Sequence, residues 1–340
     1  MQSTSGRHWA HRIMAGRAST MPRQWLRLCV MVALIATALL MSGTTAYAAD
    51  FIVNSTADDV DQSSLDGLCL TAQGECTLRA ALDEALANGG GADTISFNIP
   101  GPGPHTISIG SNGPLTPLNN VTIDGYTQPS ASPNTLTEGN DAVILIEIDG
   151  GALQISGRSE VRGLAISNCS ATCIVNFAVG TTIAGNFIGL NSVGKSSSVS
   201  PGDGVYDAGS YDVMIGGPLP ADRNVIGNVA GFGIRHAYTE ESSDQIIGNY
   251  IGTDPTGTQA RPNGLGGINA GEDSVEGLLL IENNLISGNN GPGIFADFLY
   301  EVNGDLEING NFIGTDAFGN PGLPNSGSGI QVLLESSNVI

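Results

Sequence analysis

The chain has 340 residues, of which 48 are Gly and only 5% are aromatic. So few large rings disfavour a compact core and suit a narrow stack of small aliphatics. The formal net charge is −21, yet the first 49 residues carry five Arg and no acid, which leaves seven basic against 33 acidic side chains beyond them. So acidic a surface excludes nucleic acid and anionic lipid as partners, because phosphate recognition needs clustered Lys and Arg.

Residues 1–48 read as a secretory leader. Arg23 and Arg27 precede an apolar run from Leu28 to Met41, and Ala46-Tyr47-Ala48 fits a cleavage site. The run is 14 residues long, short of the ~20 that span a bilayer. Met21 is an alternative start, and an uncleaved anchor is the competing reading. No later stretch is apolar enough to cross a membrane, so the mature chain is expected to lack a transmembrane segment.

Residues 49–93 read as a separate opening module. Asp50–Ser55 suits a strand, and an acidic loop with Asp58, Asp59, Asp61 and Asp66 follows. Cys69 and Cys76 then bracket a polar turn. Residues 77–88 have Leu78, Ala81, Leu82, Ala85 and Leu86 on one helical face, with Thr77 as N-cap and Gly89-Gly90-Gly91 as terminator. A helix over the first coil of a stack would shield its open edge.

From residue 94 onward the sequence reads as short strands bounded by Gly, Pro, Asn and Ser. The first candidates are Thr94–Ile99, His105–Ile109, Asn120–Ile123, Ala142–Ile148 and Leu164–Ser167. The Pro-, Ser- and Thr-rich segment Thr127–Asn140 reads as a loop thrown out from them. An 18-residue unit then recurs at 188–205, 251–268 and 313–330, its starts 63 and 62 residues apart.

Within this repeat a Gly-Ile or Gly-Val pair falls at Val205, Ile234, Ile268, Ile294 and Ile330. Asn224, Asn249, Asn284 and Asn311 each open an Asn-x-Ile unit. A third apolar position is assigned to Ile215, Ile247, Leu280, Ile308 and Ile340. Three short strands per unit describe one coil of a parallel β-helix over residues 94–340. Equivalent side chains should stack in columns, and stacked Asn amides should bond along the axis. A β-sandwich is the alternative, but it has no reason for a fixed period. The chain stops at Val339-Ile340, inside a coil by this period, so a truncated product is expected.

The chemistry is less legible. In an oxidising compartment Cys69 should pair with Cys76, and Cys169 with Cys173 if the chain turns between them. Neither pair has zinc-site spacing. The loop acids miss the EF-hand pattern, with Ser64 and Leu70 where Gly and Glu belong. Asp254 and Asp316, with Asn191 as their counterpart in the first copy, are expected to bond their own loop backbone. No metal or cofactor is therefore assigned. For glycan cleavage the best constellation is Asp207, His236 and Asp297, which lie one or two coils apart, with Arg235 beside His236. Which way those side chains face is not legible.

One stretch resembles a known family. Cys76-Thr77-Leu78-Arg79-Ala80-Ala81, after VNSTADDVDQSSLDGLC, is similar to the segment for which exported bacterial proteins with an N-terminal Cys-Ser-Leu-Arg-Glu-Ala (CSLREA) motif are named. It departs from that motif at Thr77 and Ala80. IDGYTQP at Ile123–Pro129 and the IGGPLPADRNVIGN and IGTDPTGT runs resemble the right-handed parallel β-helix repeats of such proteins. The resemblance implies export and a right-handed coil, not a reaction. The expectation is thus an all-β, right-handed parallel β-helix with an N-terminal capping helix. It would be secreted or held at the outer cell surface, and would act as a structural or adhesive protein that contacts glycan or protein. A carbohydrate-active enzyme, a polysaccharide lyase or glycoside hydrolase, is the alternative.

Overall fold

A computed structural model describes residues 48–88, 91–110, 112–195, 198–209, 211–237, 242–271, 277–298 and 305–334. Residues 1–47 of the leader, Gly89-Gly90 of the expected helix terminator and Ile340 lie outside the described residues. Three parallel sheets run the length of the repeat region, and the chain visits them in turn.

The first sheet holds β1 (Asp50–Val53), β2 (Asp93–Phe97), β4 (Val121–Asp124), β7 (Glu160–Arg162), β10 (Thr182–Ala184), β13 (Met214–Gly216), β16 (Ser242–Ile247), β19 (Gly277–Glu282) and β22 (Asp305–Asn309). The second holds β3 (His105–Ser108), β5 (Ile146–Asp149), β8 (Leu164–Ser167), β11 (Phe187–Ile188), β14 (Val225–Ile226), β17 (Tyr250–Ile251), β20 (Leu285–Ile286) and β23 (Phe312–Ile313). The third holds β6 (Leu153–Ile155), β9 (Ile174–Asn176), β12 (Val205–Ala208), β15 (Phe232–Ala237), β18 (Gly266–Asn269), β21 (Ile294–Phe298) and β24 (Ile330–Leu334). This is a parallel β-helix, and each 62- or 63-residue repeat makes two of its coils.

The expected columns form. In the third sheet Val205 pairs with Ile234, Ile234 with Ile268, Ile268 with Ile294 and Ile294 with Ile330. Most of these side chains are fully buried, in one interior cluster that runs from Phe51 to Ala296. The Gly before each of the first four, Gly204, Gly233, Gly267 and Gly293, has a steric cause. A Cβ on Gly204 would sit 2.5 Å from the carbonyl oxygen of Gly233, and one on Gly267 would sit 2.5 Å from that of Gly293. Successive rungs pass too closely at that corner for any side chain.

The Asn column also forms and is longer than expected. Asn186, Asn224, Asn249 and Asn284 each donate from Nδ2 to Oδ1 of the next, ending at Asn311, at 2.9–3.1 Å. A second ladder, Asn263–Asn289–Asn325, was not expected and makes the same bonds at 2.9 Å.

The first-sheet column needs a correction. Ile215 pairs with Ile246, Ile246 with Ile281 and Ile281 with Ile308. Ile247 instead pairs with Glu282, and Leu280 with Gln245 and Glu307. The flanking residues Ile246-Ile247 and Leu278-Leu279-Leu280-Ile281 are apolar on both faces, so alternation cannot fix which faces inward. A slip of one residue exchanges the faces.

In the opening module the helix, α1 (Leu78–Ala87), packs against β1 and β2. Thr77 caps it: its Oγ1 accepts from Ala80 N at 3.0 Å and donates to the Asp59 carbonyl at 2.6 Å. Arg79 is buried, and its guanidinium grips both carboxylate oxygens of Asp58 and the carbonyls of Gly113 and Pro114. The sulfurs of Cys69 and Cys76, and of Cys169 and Cys173, lie at bonding distance, with Cα separations of 5.1 and 5.2 Å. No helix among the described residues is long and apolar enough to cross a membrane.

Candidate functional site

Two features stand apart from the repetitive scaffold, one on the outer surface and one inside the coil.

The outer feature follows from the short strands of the second sheet. Their outward residues form an apolar column, Ala165, Phe187, Val225, Tyr250, Leu285 and Phe312. The segment between β4 and β5, expected as a loop thrown out from the coil, instead lies back over this column. Gly139 N donates to the Tyr250 hydroxyl at 2.8 Å. The Arg223 guanidinium sits 4.4 Å over the Tyr250 ring and donates to the carbonyls of Leu136, Thr137 and Gly139. Burial pushes the Tyr250 phenol above its ordinary range, and the charge of Arg223 opposes that.

Beside this column the three repeated loops stack. In each, one side chain accepts from its own backbone. Asn191 Oδ1 accepts from Val193 N and Lys195 N, Asp254 Oδ1 from Thr258 N and Gln259 N, and Asp316 Oδ1 from Phe318 N and Asn320 N. The Asn320 amide and these N–H donors hold the Asp316 carboxyl below the usual carboxylate range. One loop braces the next: Arg261 Nε donates to Gly194 O at 3.3 Å, and Ala317 N to Gly257 O at 3.0 Å. The tips are Val193, Thr256 and Phe318, all exposed. A recess of about 290 Å³ lies between the third loop and the covering segment, lined in part by Glu138, Arg223, Tyr250, Leu285, Phe312 and Phe318.

The inner feature gathers two of the four residues picked for glycan cleavage. Asp207 pairs with His236 on neighbouring rungs, and both are buried in the coil interior at 0% and 1% exposure. They continue a column that begins with Ile155 and Asn176. The other two residues lie elsewhere. Arg235 is one residue out of phase and stacks its guanidinium 4.9 Å over the Tyr206 ring. Asp297 follows the buried Ala296 and pairs with Leu333. The four therefore do not line a groove, and the reason is the two-residue alternation of a strand.

The third member of the inner cluster, Asp244 of β16, is missing from the sequence reading. It shares the inward phase of Ile246, so assigning Ile247 to the interior had hidden it. His236 Nε2 lies 2.8 Å from Asp244 Oδ2 and 3.3 Å from Asp207 Oδ2. Asn176 Nδ2 donates to Asp207 Oδ1 at 2.9 Å, and Val213 N to Asp244 Oδ1 at 2.8 Å.

The acids of the opening loop serve its backbone and the helix. Asp58 pairs with Arg79, Asp61 accepts from Ser63 N and Leu70 N, and Asp66 accepts from Leu68 N.

No protein-family model, curated protein or solved structure matches the chain.

Proposed function

We propose that this is an exported structural or adhesive rod, secreted or held at the outer cell surface, whose stacked loops contact glycan or protein. The observation that carries this reading is the brace between the repeated loops. Each is internally tied and joined to the next, so tips of different chemistry (Val193, Thr256, Phe318) are held at a repeat of two rungs, about 10 Å. Rigid, evenly spaced contacts of modest strength add up when a partner also repeats. Export is supported by the arginine-led apolar leader and by two cysteine pairs at bonding distance. The resemblance to the CSLREA-motif proteins points the same way, and α1 is read as the cap over the first coil.

The test is binding of the exported chain to an array of surface polysaccharides and matrix proteins. Single changes at Val193, Thr256 or Phe318 to Ser should each weaken retention a few-fold, and the triple change by well over tenfold. Unchanged retention in a folded triple variant would refute the reading. So would turnover of an arrayed glycan that survives the triple change.

A further inference from the structure

We propose that Asp207, His236 and Asp244 form an interior site for one first-row divalent transition cation, captured as the coils close. Three donor atoms converge from two sheets: Nε2 of His236 on β15, and Oδ2 of Asp207 on β12 and of Asp244 on β16. They lie within 4.8 Å of one another, and all three residues are buried.

The spacing suits coordination. A cation held at about 2.0–2.2 Å by nitrogen and oxygen ligands separates neighbouring donors by roughly 2.8–3.6 Å, from an octahedral to a tetrahedral arrangement. The two separations from Nε2 are 2.8 and 3.3 Å. The other oxygen of each carboxylate is occupied, Oδ1 of Asp207 by Asn176 Nδ2 and Oδ1 of Asp244 by Val213 N. Asn176 is itself fixed, because its Oδ1 accepts from Ala178 N and its Nδ2 donates to Ala178 O. Outer partners of this kind aim first ligands and raise metal affinity. Here they turn both Oδ2 atoms toward the imidazole.

Charge points the same way. Buried carboxylates are costly unless matched by a counter-charge or a metal. A divalent cation held between the two carboxylates offsets both. The stack does not require these residues either, since Ile, Leu or Ala fills equivalent interior positions on other rungs. An imidazole with two carboxylates suits Zn²⁺, Mn²⁺ or Fe²⁺. Ca²⁺ prefers an all-oxygen shell. With the donors inside the coil, uptake should be coupled to folding.

The test uses the full exported chain, unfolded in guanidinium with EDTA, refolded with or without Zn²⁺ and passed over a chelating resin. Elemental analysis should find close to one Zn²⁺ per chain. The melting temperature should rise by about 5 °C or more at hundredfold excess over the dissociation constant. His236→Gln and Asp244→Asn should each abolish the bound equivalent, whereas metal held loosely by surface acids would be unaffected. Should those variants fail to fold, Co²⁺ in the wild-type chain decides: a four- or five-coordinate ligand-field spectrum supports the site. Zn²⁺ uptake equal in wild type and His236→Gln would overturn the proposal. So would a wild-type chain that refolds metal-free with the same melting temperature, which would leave an imidazole hydrogen-bonded to Asp244 beside the Asp207 carboxylate.

Discussion

Replacing Asn284 with Ala tests whether the amide ladder holds the coils together. The Asn284 side chain makes four hydrogen bonds. Its Nδ2 donates to Ile246 O at 2.8 Å and to Asn311 Oδ1 at 3.0 Å, and its Oδ1 accepts from Asn249 N at 2.9 Å and Asn249 Nδ2 at 3.0 Å. Asn249 and Asn284 are both fully buried, so water cannot replace the lost partners. At a net of about 1 kcal/mol per bond, with a buried backbone N–H left stranded, the loss is about 4 kcal/mol. Urea unfolding followed by far-ultraviolet circular dichroism measures it, with the exposed Asn309→Ala as reference, expected within about 0.5 kcal/mol of wild type. Asn284→Asp should cost at least as much as Asn284→Ala. It keeps the acceptor but turns a carboxylate oxygen toward Ile246 O and Asn311 Oδ1, which are themselves acceptors. Native-state hydrogen exchange at Asn249 N should accelerate in both variants. An Asn284→Ala protein within about 1 kcal/mol of Asn309→Ala would refute the reasoning and leave the apolar columns as the sole support.

Arg79→Ala removes a buried guanidinium that pairs with Asp58, whose side chain is 6% exposed. An uncompensated buried carboxylate then remains, so a loss of about 3–5 kcal/mol is expected by the same unfolding measurement. Glu84, buried in α1, has its carboxyl raised above the usual range, chiefly by desolvation. A raised carboxyl favours folding when protonated, so its contribution is complete below the ordinary Glu value and fades as pH rises through the raised value. Glu84→Gln should therefore raise the melting temperature at pH 7 and change it little near pH 3.5. A stabilisation of equal size at both values would contradict this.

Much of the architecture was legible because a solenoid writes its period into the chain. The spacing of the Gly-Ile pairs is enough to align Val205, Ile234, Ile268, Ile294 and Ile330, since each coil must return to the same column one rung further on. The Asn-x-Ile spacing likewise places most of the first amide ladder. The second ladder was as visible in principle, because Asn263 and Asn325 occupy the same position in two copies of the repeat. The strands β6, β7, β9 and β10 were missed. They are three residues long and lie before the regular repeats, where no period supports so short a run.

The sequence alone thus determined the coil, its beat, the loop between β4 and β5, and the backbone bonds of the repeated loops, all of which depend on local chemistry and a fixed period. Only the tertiary structure decided facing. Where Ile246 and Ile247 are both apolar, the choice of inward residue rests with the neighbouring rungs. That choice carries Asp244 inside to meet Asp207 and His236 and leaves Arg235 and Asp297 in the opposite phase. Residues far apart in the chain converge at one point because stacking, and not sequence proximity, sets which side chains share the interior.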